Sequence, residues 1–539
     1  PDRGLPLQVE PTGPGGFRSY LLDFGQTVVG HFVCEMRGAA GGEIVDTHYA
    51  ESIDAATLTP DYDPAAHSKP AIGDRLVCRA GDASHLFYHP CGFRYAMVTV
   101  RDALAPFEIG LRFRRVGYPL ERKGSFSSSD PALEKIWEAC VRTQECCSLD
   151  AYVDTPWREQ AQWWGDARVQ AWNTFHIDGD IRLFRRGIRQ IALQTTFDGL
   201  TYGHAPTMGH ECVLPDFTLI WLLTLWDDYW QTGETDLFAA HHGAIQTALG
   251  YFRGKADPKS GLVPYDDRYW LFLDWTDLFR DGVPAVYNLW LLIALEKTAS
   301  LYRKVRRPRE AVPLEAWAGR LRRSLEGLVD RRGLVRDGID RKGRPVPDTS
   351  LHSQTLAIAA GLRGVDIPRA VGTLFLPFLR GEIRPKSDPS AYWITYIFSL
   401  MGALGHGAEV VSCIRRRWLP MAEHGTTWEN WEPKPGHESR SHAWSAHPLF
   451  HLMQTVGGIA QTAPAWREID FRPVFHGESG GASVPTPRGT IVSGWKRAGA
   501  GVEVSLRMPH GVKAKIDLPG MRPRTIAGGG RWTVACGKE

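Results

Sequence analysis

The stretch Asp154-Thr-Pro-Trp-Arg-Glu-Gln-Ala-Gln-Trp-Trp-Gly-Asp166 crowds carboxylates, an arginine and tryptophans together. Buried charge is costly unless it is paired or used, so charged groups set among large aromatics need a reason. Sugars supply one, because their C–H faces pack on flat indoles and their hydroxyls donate to carboxylates. Glu159 stands at the centre of the stretch, with Asp154, Arg158, Trp163, Trp164 and Asp166 as candidate sugar contacts. A structural reading has equal weight on this stretch alone: an Asp/Glu–Arg network pinning a helix–loop–helix junction.

A second cluster, Gly425-Thr-Thr-Trp-Glu-Asn-Trp431, sets Glu429 between Trp428 and Trp431. It leads on to Ser439-Arg-Ser-His-Ala-Trp-Ser445, which carries His442 and Trp444. A third, Trp270-Leu-Phe-Leu-Asp-Trp-Thr-Asp277, places Asp274 and Asp277 around Trp275. A fourth, His204 to Asp216, is polar ahead of an apolar helix and is a candidate for a pocket entrance.

Two carboxylates far apart in the chain, each on an aromatic loop, suit glycoside hydrolysis. One protonated acid donates to the leaving oxygen, while a carboxylate activates water or attacks the anomeric carbon. The acid stays protonated near neutral pH only through desolvation or a like-charge neighbour. Asp154 and Asp166 are candidate like charges for Glu159, whereas Arg158 acts the other way if it points into the site. Plainer roles stand beside these: core packing for one of Trp163 and Trp164, a helix N-terminal charge for Asp166, and a structural histidine at His442. Glu429 has no evident structural partner nearby in sequence.

The elements that must position these groups fall into three blocks. Residues 1–125 read as an N-terminal β-sandwich, in short alternating runs such as Tyr20-Leu-Leu-Asp-Phe, His31-Phe-Val-Cys-Glu-Met and Tyr95-Ala-Met-Val-Thr-Val. At Ser125-Phe-Ser-Ser-Ser-Asp-Pro-Ala the period changes, with Asp130 a good N-cap and Pro131 a good first helical residue. Residues 126–464 then hold roughly a dozen helical patterns without a sequence repeat, which fits an (α/α)6 toroid better than a solenoid. Residues 465–539 return to β and predict a C-terminal β-sandwich. The fold class is therefore mainly α with β accessory domains.

Net charge is +3, from 63 basic and 60 acidic residues, so no global field favours nucleic acid or a membrane. No apolar run is long enough to span a bilayer, and no charged-then-apolar signal opens the chain. The first residue is Pro, which suggests a mature or trimmed form of a longer polypeptide. Nine cysteines, with Cys146 and Cys147 adjacent and no C-x2-C pair, predict reduced, buried thiols and lean towards a cytoplasmic setting over a periplasmic or secreted one. His241-His242 lack the H-E-x-x-H pattern of a zinc site and read as structural or surface residues; no cofactor is expected. The basic run Tyr302-Arg-Lys-Val-Arg-Arg-Pro-Arg has no nucleic-acid-binding module around it and reads as a solvated helix end.

These residues resemble the bacterial α-L-rhamnosidases of glycoside hydrolase family 78. Asp154-Thr-Pro-Trp-Arg-Glu159 with Trp163-Trp-Gly-Asp166 is similar to the family's Asp-Cys-Pro-x-Arg, acidic residues and Trp-x-Gly-Asp, with Thr155 in place of cysteine. Asp23-Phe-Gly-Gln26 with Gly30, and Gly92-Phe-Arg-Tyr95, resemble two sandwich motifs. Phe272-Leu-Asp-Trp275 is similar to a Gly-Asp-Trp segment, with Leu273 at the glycine, and Thr426-Thr-Trp-Glu-Asn-Trp431 to a Thr-Thr-x-Trp-Glu-x-Trp. Pro487-Arg-Gly-Thr-Ile-Val-Ser-Gly-Trp495 resembles the start of the C-terminal sandwich.

The resemblance implies an exo-acting, inverting glycosidase releasing L-rhamnose, with Glu159 as general acid and Glu429 as general base. It implies that Asp154 and Asp166 support the acid or hold sugar hydroxyls, that Trp163, Asp274, Trp428 and His442 line the sugar subsite, and that no metal is needed. The sequence departs from the family at Trp157, Ala161-Gln162, Trp164 and the Ser-His-Ala-Trp-Ser segment, which points to a divergent branch with another sugar in the −1 site. The competing readings are a same-fold glycosidase for another terminal sugar, a polysaccharide lyase on a similar toroid, and a carbohydrate-binding protein without turnover.

Overall fold

The computed structural model describes residues 5–62, 72–207, 212–499 and 501–535. They form two compact units. One comprises Pro1–Pro119, Ala139–Ala161 and Met421–Ala446, the other Leu120–Glu138, Gln162–Pro420 and His447–Glu539.

The first unit is built on an antiparallel sheet whose central strand, Phe17–Ala39, pairs first with Cys91–Arg101 and then with Phe107–Arg115. Gly81–Leu86 pairs with its far end, and Ile44–Ala50 extends the sheet beyond Cys91–Arg101. The register with Cys91–Arg101 shifts between Asp23 and Val28, where Gly25 takes a φ of +73°. Side chains alternate in burial along Ile44–Ala50, as period-two geometry requires. The inward set, including Phe32, Val45, Tyr49, Phe93 and Val98, forms one apolar core.

The second unit is helical. Its inner helices are Trp164–Ile177, Pro215–Thr232, Ala285–Lys304, Leu351–Ala359, Ile394–Ala403 and Pro448–Thr455. Each contacts the next, and the last returns to the first. This closed ring is the inner layer of a toroid. Pro215–Thr232 shows why such a helix goes inside: it is apolar around most of its circumference, starts at Pro215 and stops at Gly233, whose φ is +78°. Arg182–Leu193, by contrast, buries one face only and packs outside the ring.

The same unit carries the C-terminal β-structure in two sheets. One runs from Ser125–Ser128 through Ser479–Val484, Ile491–Ala498 and Gly501–Arg507 to Gly530–Ala535. The other joins Ile459–Gln461, Glu468–Phe471, Lys513–Ile516 and Arg524–Ala527, with Glu468–Phe471 parallel to Lys513–Ile516. Ser125–Ser128, where the sequence changes period, is a strand that pairs with Ser479–Val484, and Phe126 stacks on Trp137 at 6.4 Å. The mainly helical class, with a toroid and β-sheet N- and C-terminal domains, is as the sequence predicts. The eight cysteines among the described residues are buried and none is in a disulfide there, and Cys536 lies outside those residues.

Candidate active site

The Asp154–Ala161 segment is a closed loop held by its own ends. Asp154 N donates to Ala161 O, and Ala161 N returns a bond to Asp154 Oδ1, both at 2.9 Å. Gln160 closes the turn in the left-handed region, at a φ of +51°, and its amide donates to Pro90 O and Pro156 O at 2.8 Å. The sheet anchors the loop further: Trp157 Nε1 donates to Tyr49 O at 3.1 Å, and Gly92 N to Pro156 O at 2.8 Å. A Cβ on Gly92 would lie 2.4 Å from the Pro156 ring, so the glycine of Gly92-Phe-Arg-Tyr95 is what lets the loop sit down. The two sandwich motifs also pair with each other through Arg94 and Asp23, at 3.0 and 3.2 Å.

Arg158 is the hub of this unit's polar cluster. Its Nη2 donates to both oxygens of Glu429, at 3.1 and 3.0 Å, and lies 3.6 Å from Glu159 Oε1. One nitrogen therefore serves both glutamates, so their nearest oxygens are no farther apart than the sum of those two distances. Burial opposes the guanidinium charge, but Glu429, Glu159 and Asp154 hold its pKa above the ordinary arginine value.

Glu429 is gripped on its other side by Ser439, whose N–H donates to Oε2 at 2.8 Å while Glu429 N donates to Ser439 O at 2.9 Å. Trp444 Nε1 donates to Glu429 O at 3.0 Å, His442 Nδ1 lies 3.9 Å from Oε2, and the His442 ring packs on Trp444 at 4.4 Å. Trp428 and Trp431 are half-buried on either side, with the Arg440 guanidinium 5.7 Å from the Trp428 ring.

Glu51, just beyond the Ile44–Ala50 strand, is a partner that sequence reading missed. Ser439 Oγ donates to its carboxylate at 3.0–3.1 Å, and Arg440 N donates at 2.6 Å. The Thr155 and Ser439 hydroxyls share a hydrogen bond at 2.7 Å, and Ser439 Oγ also lies 3.1 Å from Ser441 O. Burial pushes the Glu51 carboxyl up to about 7, against the bonds from Arg440 and Ser439, and the charge of Glu429 pushes the same way. Nothing local in the sequence marks Glu51, because its partners come from a segment at the far end of the chain.

The second unit holds the remaining sequence-predicted residues. Trp163 meets His204 at 4.5 Å, and an edge-to-face row runs from it through Phe217 and Phe272 to Trp275, at 6.3, 5.7 and 5.1 Å. Trp275 is 48% exposed, whereas Trp164 is wholly buried, stacks on Phe184 and donates through Nε1 to Thr224 Oγ1. Trp164 thus has a core position. Asp166 is buried in the first turn of Trp164–Ile177, and its charge acts on the Tyr392 hydroxyl.

Asp274 has both oxygens engaged: Oδ2 by His352 Nε2 at 2.8 Å and Ser390 N at 3.0 Å, Oδ1 by Trp275 N at 2.8 Å. The loop that carries it is caged by Asp216, which accepts from Phe272 N and Leu273 N, and by Arg280, which donates to the carbonyls of Leu271, Phe272 and Asp274 among others. Burial raises the Asp216 carboxyl to about 6 despite those two amides. Within the His204–Asp216 segment, Met208 to Glu211 lie outside the described residues.

A closed helical ring carrying β-sheet domains is the architecture of the six-hairpin glycosidases. Residues 121–370 match the bacterial α-L-rhamnosidase 6 hairpin glycosidase domain, and residues 458–532 the bacterial α-L-rhamnosidase C-terminal domain. The chain is an α-L-rhamnosidase-like protein of glycoside hydrolase family 78. Among solved structures it is similar to a GH78 rhamnosidase of Bacillus sp. GL1, at 24% identity and a TM-score of 0.85 over 96% of this chain and 54% of that one. It is also similar to an α-L-rhamnosidase of Aspergillus terreus, at 17% identity and a TM-score of 0.78 over 100% and 64%. An α-L-rhamnosidase of Streptomyces avermitilis complexed with L-rhamnose matches at 18% identity and a TM-score of 0.73, over 98% and 53%. The chain thus spans less than two thirds of the length of these relatives. No curated protein sequence matches it.

Proposed function

We propose that this protein is an exo-acting, inverting glycosidase that releases terminal α-L-rhamnose from an oligosaccharide, polysaccharide or glycoside. The observation that carries the reading is the Arg158 nitrogen shared by Glu429 and Glu159. Glu159 donates a proton to the glycosidic oxygen as the bond breaks, and Glu429 takes one from the attacking water. The two short contacts from Arg158 orient the Glu429 carboxylate, and the same nitrogen keeps Glu159 Oε1 at 3.6 Å, beside the base. Asp154 supports the acid by closing its loop, and Trp428, Trp431, His442 and Trp444 supply apolar face and polar edge beside the base. Trp163, Asp166, Asp274 and Trp275 are proposed as sugar contacts on their motif resemblance, with Trp163 rather than the buried Trp164 offering its ring. The choice of sugar is supported by the family and by the rhamnose complex of a structural relative.

The test is hydrolysis of an aryl α-L-rhamnoside by Glu159→Gln and Glu429→Gln. Each is expected to abolish turnover while the thermal unfolding transition is kept, and near wild-type turnover in either sinks the assignment. NMR of the first-formed anomer reads the stereochemistry independently: β-L-rhamnose is the inverted product, and α-L-rhamnose overturns that part of the reading. A panel of other aryl glycosides tests the sugar.

A further inference from the structure

The helical unit contains a cavity that the Glu159–Glu429 chemistry does not use. Its wall includes Arg168, Trp172 and His176 of Trp164–Ile177, Trp226 and Gln231 of Pro215–Thr232, and Lys297 of Ala285–Lys304. Its volume is about 340 Å³, within the range of small-ligand sites. Three half-buried tryptophans, Trp172, Trp226 and Trp230, line it, and the last two stack at 5.9 Å with their planes 25° apart.

Two buried donors on its wall, Arg168 Nη1 and Gln231 Nε2, lack an acceptor among the described residues. Arg168, with a side chain only 9% exposed, gives Nε and Nη2 to Asp227 at 2.7 and 3.4 Å, but its buried Nη1 has no acceptor among the described residues. Gln231 accepts from Trp466 Nε1 at 2.9 Å, which fixes the amide orientation and leaves its buried Nε2 unpaired among the same residues. His176 Nδ1 faces Trp172 O at 2.8 Å and so carries the ring proton, which leaves Nε2 a lone pair. The Lys297 ammonium lies 4.2 Å from the Trp226 ring centroid, where burial lowers its pKa. Arg168 and Lys297 outnumber Asp227, so the wall carries a surplus of positive charge and of N–H groups. Indole faces suit a sugar ring, and unpaired donors beside a surplus cation suit a carboxylate.

We propose that this cavity is a second saccharide site that takes an acidic sugar, a uronic acid whose carboxylate meets Arg168 and Lys297 while its ring lies against Trp226 and Trp230. The site binds rather than reacts, and its test reads binding without hydrolysis, so it stands or falls apart from the rhamnosidase reading.

Calorimetric titration and intrinsic tryptophan fluorescence with sodium D-glucuronate, beside neutral methyl D-glucoside, decide it. Saturable glucuronate binding is expected, at least tenfold tighter than the glucoside. Lys297→Met and Trp230→Ala, both at half-buried positions, are expected to weaken it at least tenfold each, and Arg168→Met to abolish it if the variant folds. Absence of saturable glucuronate binding, equal binding of the neutral sugar, or unchanged binding in both Lys297→Met and Trp230→Ala overturns the proposal.

Discussion

Arg158 grips Glu429 with one nitrogen, Nη2, at 3.0 and 3.1 Å, and reaches His437 O with the other, Nη1, at 2.7 Å. The carboxylate of one loop is thereby tied to the backbone of the next through a single planar group. Lysine keeps the charge but not the fork. Arg158→Lys is expected to lower kcat on an aryl α-L-rhamnoside by roughly 10- to 100-fold, and Arg158→Met by at least a further tenfold, through lost orientation of the base. Steady-state kinetics on both, with unfolding curves to confirm the fold, checks this. Wild-type kcat in Arg158→Met rules out the orienting role.

Glu51 gives the protein a pH dependence of defined sign. Its folded-state carboxyl is raised from 4.5 to about 7, so the fold prefers the protonated form. That contribution to stability is fully present below about pH 4.5 and fades as pH rises through about 7. Glu429, His442, Ser439 and Arg440 surround the group, and Glu51→Gln replaces its carboxyl with a neutral amide of similar shape that does not titrate. The variant is therefore expected to gain on wild type between about pH 5 and pH 8, by at most about 3 kcal/mol. Urea unfolding at the two pH values measures it. A difference between the two proteins that does not change with pH defeats the prediction.

The motif departures show what sequence reading reached and where it stopped. Trp157, Gln162 and Trp164 stand where the family carries other residues, which in sequence suggests a changed sugar subsite. Each is satisfied inside the protein instead: Trp157 at Tyr49 O, Gln162 at Ala205 O and Gln190, and Trp164 against Phe184 and Thr224. Residue type at fixed spacing identified the acidic loops, and helical period identified the ring, because both are local signals. Glu51 and the Thr155–Ser439–Glu51 chain of hydroxyls were illegible, because their contacts join segments hundreds of residues apart. Trp157→Phe is accordingly expected to destabilise the fold by about 1 kcal/mol, through the lost indole bond, while the ratio of kcat/KM values across a glycoside panel holds. A changed ranking of sugars would return Trp157 to the subsite.

The same logic applies at Leu273, where the family's glycine is replaced and the backbone still asks for it. Leu273 has a φ of +55°, and its N–H is held by Asp216 Oδ2 at 2.9 Å, so the cage around the loop imposes the left-handed conformation. A non-glycine residue there costs about 1–2 kcal/mol. The side chain is only 3% exposed, however, and deleting a buried leucine costs about 2–5 kcal/mol. The two terms separate in a pair of variants. Leu273→Ala loses the packing and keeps the strain, whereas Leu273→Gly loses the packing and sheds the strain, partly offset by the greater freedom of glycine in the unfolded chain. Both are expected to be less stable than wild type, with Leu273→Gly the more stable of the two by about 1 kcal/mol. Thermal and urea unfolding rank them. An alanine variant as stable as the glycine one means that the loop relaxes out of the left-handed region once the leucine is gone.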